Sequence, residues 1–341
     1  MKVFYFFLIL IFFHNTSLSQ DTRFNEKDSA KIADIKYIQY DLENFGKSNL
    51  AIKLPISKII FFDVRYDTSF IAISWHPNIN SVTGAYNQNS KYNLTNGLTA
   101  SLATYFNEFY KNNFSRNNAE IACFIKRFSI TPKGSIIAIA QSNNENENVN
   151  NIKFEVECYY KAKDLLYPAI RIDTSYAERS TRIKKSFLEI TREILQPLID
   201  RVPLIDSAKM QKRHSYTLQQ IQERYQGRFN LPILTTDQYK RGIYKSFQEF
   251  INNSPSITEF SIKNKGYNVL LYNSSGAIIS SKIFGFYDGE ICWVYGGAYC
   301  SPLIKVGNSF EYFYTLYILK GIVQTSKKFL LVLDMENSEI E

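Results

Sequence analysis

Histidine is scarce in this chain, with 3 among 341 residues, and only 4 cysteines and 3 methionines accompany it. A zinc site needs several clustered imidazole or thiolate ligands. His14 falls in the N-terminal apolar stretch, while His76 and His214 lie far apart with no ligand-spaced partner. A Ser-His-Asp or Cys-His hydrolase would depend on one of those two, and no nucleophile elbow is present. Glycine motifs that cradle phosphate are missing as well, because Gly296-Gly297 falls between two strand-like runs rather than between a strand and a helix. Beyond the N-terminus no apolar run approaches the roughly 20 residues of a membrane helix. These absences exclude the common metal, nucleotide and triad chemistries, and no cofactor is expected.

What is there is a folding chain: 45% apolar, 15% aromatic and 21% charged, close to globular averages. Lys2, the apolar run Val3–Phe13 and the small residues of Ser17-Leu18-Ser19 form a signal-peptide pattern with cleavage expected before Gln20. No cysteine follows the run, so no lipid anchor is expected. The reading is an exported protein, periplasmic or secreted, with no transmembrane segment in the mature chain.

Patterning predicts an α+β fold divided as signal peptide 1–19, leader 20–49, α+β domain 50–202, connector 203–235 with a short helix, helix plus antiparallel β-meander domain 236–314, and a tail 315–341 with one strand. The first domain reads as an α/β sandwich in the order strand–strand–helix–strand–strand–helix. Its strands are Ile59–Arg65, Phe70–Trp75, Ala119–Ile130 and Asn151–Tyr160, with a further short strand at Ser135–Gln141. Residues 77–94, rich in Asn and Ser, read as loop. Leu98, Leu102, Tyr105, Phe106 and Phe109 make one helical stripe capped by Asn93 or Thr95. Ile183, Phe187, Ile190, Ile194 and Leu198 make another, bent at Pro197 and ended by Pro203. In Asn151–Tyr160 the alternation puts Phe154, Val156, Cys158 and Tyr160 on a buried face and Lys153, Glu155, Glu157 and Tyr159 on a solvent face. Thr217–Tyr225 is the connector helix. A helix over 236–252 capped by Thr236 or Asp237 precedes strands at Ile257–Lys263, Tyr267–Tyr272, Ala277–Phe284, Glu290–Tyr295, Tyr299–Val306 and Ser309–Tyr314. The tail's strand is Phe329–Leu333.

Export permits disulfides. Cys292 and Cys300 flank the Gly-Gly turn, midpoint residue 296, and would sit nearly opposite one another. Cys123 and Cys158 face each other if their strands pair directly, whereas a strand at Ser135–Gln141 would separate them. The alternative for each is a buried free thiol. Asp63, Arg65 and Asp67 share one strand face: a cation or oxyanion site, or a strand-end ion pair. Between Glu178 and Ser246 there are 14 Lys and Arg against 7 Asp and Glu. In this belt Arg179, Arg182, Lys184, Lys185, Lys212 and Arg213 form a candidate surface for an anionic polymer, an acidic protein or a membrane surface, against the alternative of solvated helix faces. Nucleic acid is not an expected partner, since export disfavours it and no recognition motif accompanies the charge.

The apolar strand ending in Asp63-Val64-Arg65, the helix Leu98–Phe109, the strands around Ile121–Ile130 and Phe154–Tyr160 and the closing helix Ile183–Leu198 together resemble the YajG-type periplasmic lipoprotein domain over residues 56–202. The chain departs from that family in lacking the lipidation cysteine, and the resemblance carries no catalytic residues with it. More broadly the chain resembles uncharacterised exported proteins of Gram-negative bacteria. The expected function is an exported, non-enzymatic binding or envelope-associated protein; the alternative is a carboxylate-dependent hydrolase acting on cell-envelope polymers.

Overall fold

Strand β5 (Glu120–Lys133) organises the molecule, because both of its edges are used and both of its faces are buried. The computed structural model describes residues 35–42, 51, 53–77, 87–116, 119–133, 148–180, 183–265, 268–279, 283–295, 300–320, 323–333 and 335. Residues 1–34 and 134–147 lie outside it, and with them the signal-peptide reading and the strand expected at Ser135–Gln141. β1 (Lys36–Tyr40), β2 (Lys58–Asp63), β3 (Ala72–Pro77), β4 (Asn87–Leu94), β5, β6 (Asn148–Ala162), β7 (Leu165–Ser180) and β8 (Tyr216–Thr217) form one mixed sheet ordered β1-β4-β3-β5-β6-β7-β8, with β2 also on β5. The successive pairs β5–β6, β6–β7 and β7–β8 are antiparallel, as is β3–β4, whereas β1 is parallel to β4 and both β2 and β3 are parallel to β5.

On one edge β5 is shared. β2 pairs with Glu120–Ile125 and β3 touches Ile130, so the loop between β2 and β3 bows out beside the middle of β5. α1 (Leu98–Phe109) and α2 (Ile183–Arg201) cover one sheet face. Leu102, Phe106, Ile121, Cys123, Ile125, Cys158, Ile194 and Leu198 interdigitate there. α1 starts at Gly97, whose φ of +76° suits glycine, rather than at a side-chain cap from Asn93 or Thr95. Asn107 in α1 satisfies the open edge of β2, accepting from Ile59 N and donating to Ile59 O, each at 2.9 Å.

The short helices α3 (Ser207–Met210) and α4 (Leu218–Gln226) follow. α4 is the short helix expected in the connector, and Thr217 and Gln220 close a capping box at its start. α4 lies on the second face of the sheet, where Ala122, Phe124, Tyr159, Leu166, Ile221 and Tyr225 make a separate core. This corrects one expectation: the Lys153–Glu155–Glu157–Tyr159 face of β6 is buried, not solvated. Residues 87–94 are a strand rather than loop, because β1 and β3 flank them and supply partners for their backbone. β7 escapes the periodicity because Pro168 interrupts it, at a register shift opposite Tyr159.

The rest of the chain is built from α5 (Pro232–Thr235), β9 (Gly242–Tyr244), α6 (Phe247–Ile251), β10 (Phe260–Lys265), β11 (Asn268–Asn273), β12 (Gly285–Tyr287), β13 (Cys292–Tyr295), β14 (Cys300–Pro302), β15 (Ile304–Val306), β16 (Ser309–Lys320) and β17 (Val323–Leu333). These make a β10-β11 hairpin, a β14-β13-β12-β9 sheet and a β15-β16-β17 sheet, so the antiparallel meander is divided. The helix expected over 236–252 is not formed as one piece. Gly242–Tyr244 is a strand on β12, and α6 is a short helix capped by Ser246. Glycine is required at 242 by close approach, since a Cβ would lie 2.5 Å from Pro255 Cβ and 2.8 Å from Ile257 O. Of the strand expected over Ala277–Phe284, Ile278 forms an isolated bridge to Tyr272, Ile283 and Phe284 are not in a strand, and residues 280–282 lie outside the described residues. Among the described residues no helix is long and apolar enough to cross a membrane.

Candidate functional site

The register of β5 on β6 slips by one residue at its centre: Ile125 faces Val156 and Arg127 faces Glu155, which leaves Lys126 as the extra residue of a bulge. A bulge re-aims its side chains. Here it turns Lys126 toward the two carboxylates of β6, bonding Glu155 and standing 3.8 Å from Glu157 Oε1. The tyrosines of the second core complete the group. Tyr225 OH donates to Glu157 Oε2 at 2.6 Å and Tyr159 OH donates to the same oxygen at 3.2 Å, with Arg224 at 3.6 Å. Arg171 stands 3.7 Å from Glu155.

The electrostatics follow from this enclosure. Burial pushes the Glu157 carboxyl up, but the Tyr225 hydroxyl, the Arg224 and Lys126 charges and the Tyr159 hydroxyl outweigh it and hold the group below the usual carboxylate range. Burial and then the hydrogen bond to Glu157 raise Tyr225. Glu157 is therefore a fixed anion with its charge already matched.

Arg127 lines two depressions on either side of the bulge. The larger, about 290 Å³, is bounded by Lys153, Phe154, Glu155, Asp173, Thr174 and Ser175. The smaller, about 70 Å³, lies among Arg65, Asp67, Phe70, Phe128 and the C-terminal residues Ser309, Leu333 and Met335. Arg65 explains the Asp-x-Arg pattern. Its guanidinium forks onto Asp63 at 2.8 and 2.9 Å and donates to Phe70 O at 2.7 Å and Phe128 O at 3.2 Å, so it ties the β2–β3 loop to β5. Asp67 accepts from Ser69 N at 2.7 Å, and among the described residues its other oxygen is buried with no hydrogen-bond partner. Asp63 and Arg65 thus form an internal clamp rather than an open triad, and because β2 ends at Asp63, Asp67 stands in the loop beyond the strand.

Beside this clamp, Lys91 of β4 and Glu311 of β16 form a buried pair at 2.5 Å, with Lys91 5.3 Å from the centre of the Phe70 ring. Burial raises the Glu311 carboxyl despite Lys91, and the charge of Asp67 adds to the rise.

The cysteines divide. Cys123 and Cys158 are direct register partners on β5 and β6 and both thiols are buried in the main core. Cys300 faces Tyr295, not Cys292, so the two cysteines are not opposed across β13 and β14. Cys292 and Cys300 consequently point to opposite faces and are not set to bridge. Burial raises each to about 12. All four thiols are reduced in this structure.

Of the basic belt, Arg182 and the side chains of Arg179, Lys184 and Lys185 lie outside the described residues. Lys212 and Arg213 are exposed, and Arg213 donates to Pro168 O at 2.6 Å. Three other belt arginines make contacts within the chain: Arg224 with Glu157, Arg228 over the Tyr66 ring, and Arg241 with the carbonyls of Asp288, Thr258 and Phe260, although Arg224 and Arg241 remain exposed. Among the described residues no group of three or more His, Cys, Asp or Glu is placed to hold a metal. The Lys126–Glu155–Glu157 group escaped the sequence reading because α4, which buries it, arrives about sixty residues later; the lysine and the two glutamates on alternating strands were its only trace.

Comparison with known proteins finds no matching family model, no matching curated protein and no matching solved structure.

Proposed function

We propose that this chain is an exported, non-enzymatic binding or envelope-associated protein, with residues 56–202 acting as a YajG-like domain. The observation that carries this reading is the internal pairing of the central carboxylates. Glu155 and Glu157 are held by Lys126, Arg171, Arg224 and two tyrosine hydroxyls. General acid–base work needs a carboxyl whose proton exchanges near the working pH, and Glu157 is shifted the other way. What the region offers a partner is a shallow polar depression beside Arg127, and farther off the exposed cations Lys212 and Arg213. An anionic polymer or the anionic face of the envelope is the partner such cations would meet.

Co-sedimentation of the purified protein with isolated Gram-negative envelopes tests this. The expected result is salt-sensitive binding that falls several-fold in the Lys212→Glu, Arg213→Glu double variant. Protein left in the supernatant, or binding indifferent to both salt and charge reversal, overturns it.

The hydrolase reading is favoured by a single feature, the raised Glu311 with Asp67 nearby. Release of fragments from envelope polymers by the wild-type protein, lost in Glu311→Gln, would move the conclusion to that reading.

A further inference from the structure

Of the four cysteines, the sheet register opposes only one pair among the described residues. Cys123 and Cys158 are directly opposed on antiparallel strands, and both are buried in the core beneath α1 and α2. Directly opposed residues of an antiparallel pair lie about 4.5–5.5 Å apart at Cα, inside the span of about 4.4–6.8 Å that a disulfide bridges. Cys292 and Cys300 lack this relation, since Cys300 is opposed to Tyr295.

We infer that Cys123 and Cys158 are a disulfide site that staples β5 to β6. The two thiols lose two protons and two electrons as the S–S bond forms, and a disulfide-bearing oxidant of the compartment is reduced to two thiols in exchange. Both sulfurs are sealed from solvent in the folded sheet, so the exchange takes place before the core closes. The bridge sits on the pairing that precedes the Lys126 bulge and fixes the register on which that bulge depends; a slip of one residue would turn Glu155 and Glu157 to the opposite face. The oxidising surroundings rest on the export proposed above, whereas the choice of partners rests on the register alone.

The test is to refold the denatured full chain in a glutathione redox buffer, alkylate it, digest it without reductant and map the peptides by mass spectrometry. The expected product links the Cys123 peptide to the Cys158 peptide and leaves Cys292 and Cys300 alkylated, and its unfolding midpoint falls when reductant is added. Four alkylated thiols, or a Cys292–Cys300 link, overturns the inference. The same mapping on protein recovered from the native cell separates the two ideas. A linked pair there supports both, while a bridge that forms in the refolded chain but is missing from the cellular protein overturns export and leaves the site standing.

Discussion

The two halves of the molecule reach stability by different means. In the first, long strands around β5 stack two cores on opposite faces of one sheet, and helices seal both. In the second, the chain is divided among three small sheets, with β16 and β17 the only long strands among the described residues, and aromatic packing holds its short elements together. There Phe250 of α6 meets Tyr244 of β9, Phe284 and Phe310 of β16 at ring separations of 4.8–5.6 Å. Backbone register organises the first half, and a few large side chains organise the second. Removing one ring should therefore have different reach in the two places.

Phe124→Ala and Phe250→Ala both empty a fully buried site and should each cost about 3–5 kcal/mol. Phe124→Ala is expected to weaken hydrogen-exchange protection throughout β2, β5, β6 and β7. Phe250→Ala is expected to weaken it chiefly across α6, β9, β12 and β16. Equal spread in the two variants would erase the distinction.

A smaller break concerns the clamp. Arg65→Lys keeps the charge but loses the planar fork, leaving at least two of four buried bonds unmade at about 1 kcal/mol each. Denaturant midpoints should show a loss of about 2 kcal/mol, with faster exchange at Ile71 N and Ile130 N.

The smallest effect contrasts the pH responses. Glu157 titrates lower in the folded protein than its ordinary 4.5, so its contribution is complete above that value and drains away as pH falls through the lowered one. Glu311 is raised, so its contribution is present below 4.5 and is lost as pH rises through the raised value. Thermal midpoints across pH 3–7 should lose part of their acid limb in Glu157→Gln and part of their decline toward neutrality in Glu311→Gln. Curves parallel to wild type would show that neither group couples to folding.

The sequence made some of this legible and hid the rest for physical reasons. The stripe from Leu98 to Phe109, the alternation of β6 and the short helix expected over Thr217–Tyr225 are local signals, and each became an element of the expected kind. β4 is a strand despite its Asn and Ser content because β1, which is remote in sequence, pairs with one of its edges and β3 with the other. The expected helix at 236–252 gave way at Gly242, where Pro255 and Ile257 demand a residue without a side chain. Glu155 and Glu157 read as a wet face because alternation says which residues share a side and not what lands on it.

The Lys91–Glu311 pair joins positions 220 residues apart. A chain delivered N-terminus first has its lysine long before the glutamate that neutralises it. Until β16 emerges, β4 cannot bury that ammonium without leaving it unmatched, at a cost of several kcal/mol. β16 thus acts as the keystone of β4, and a truncation before Glu311 would leave a buried charge that no amount of N-terminal sequence can match.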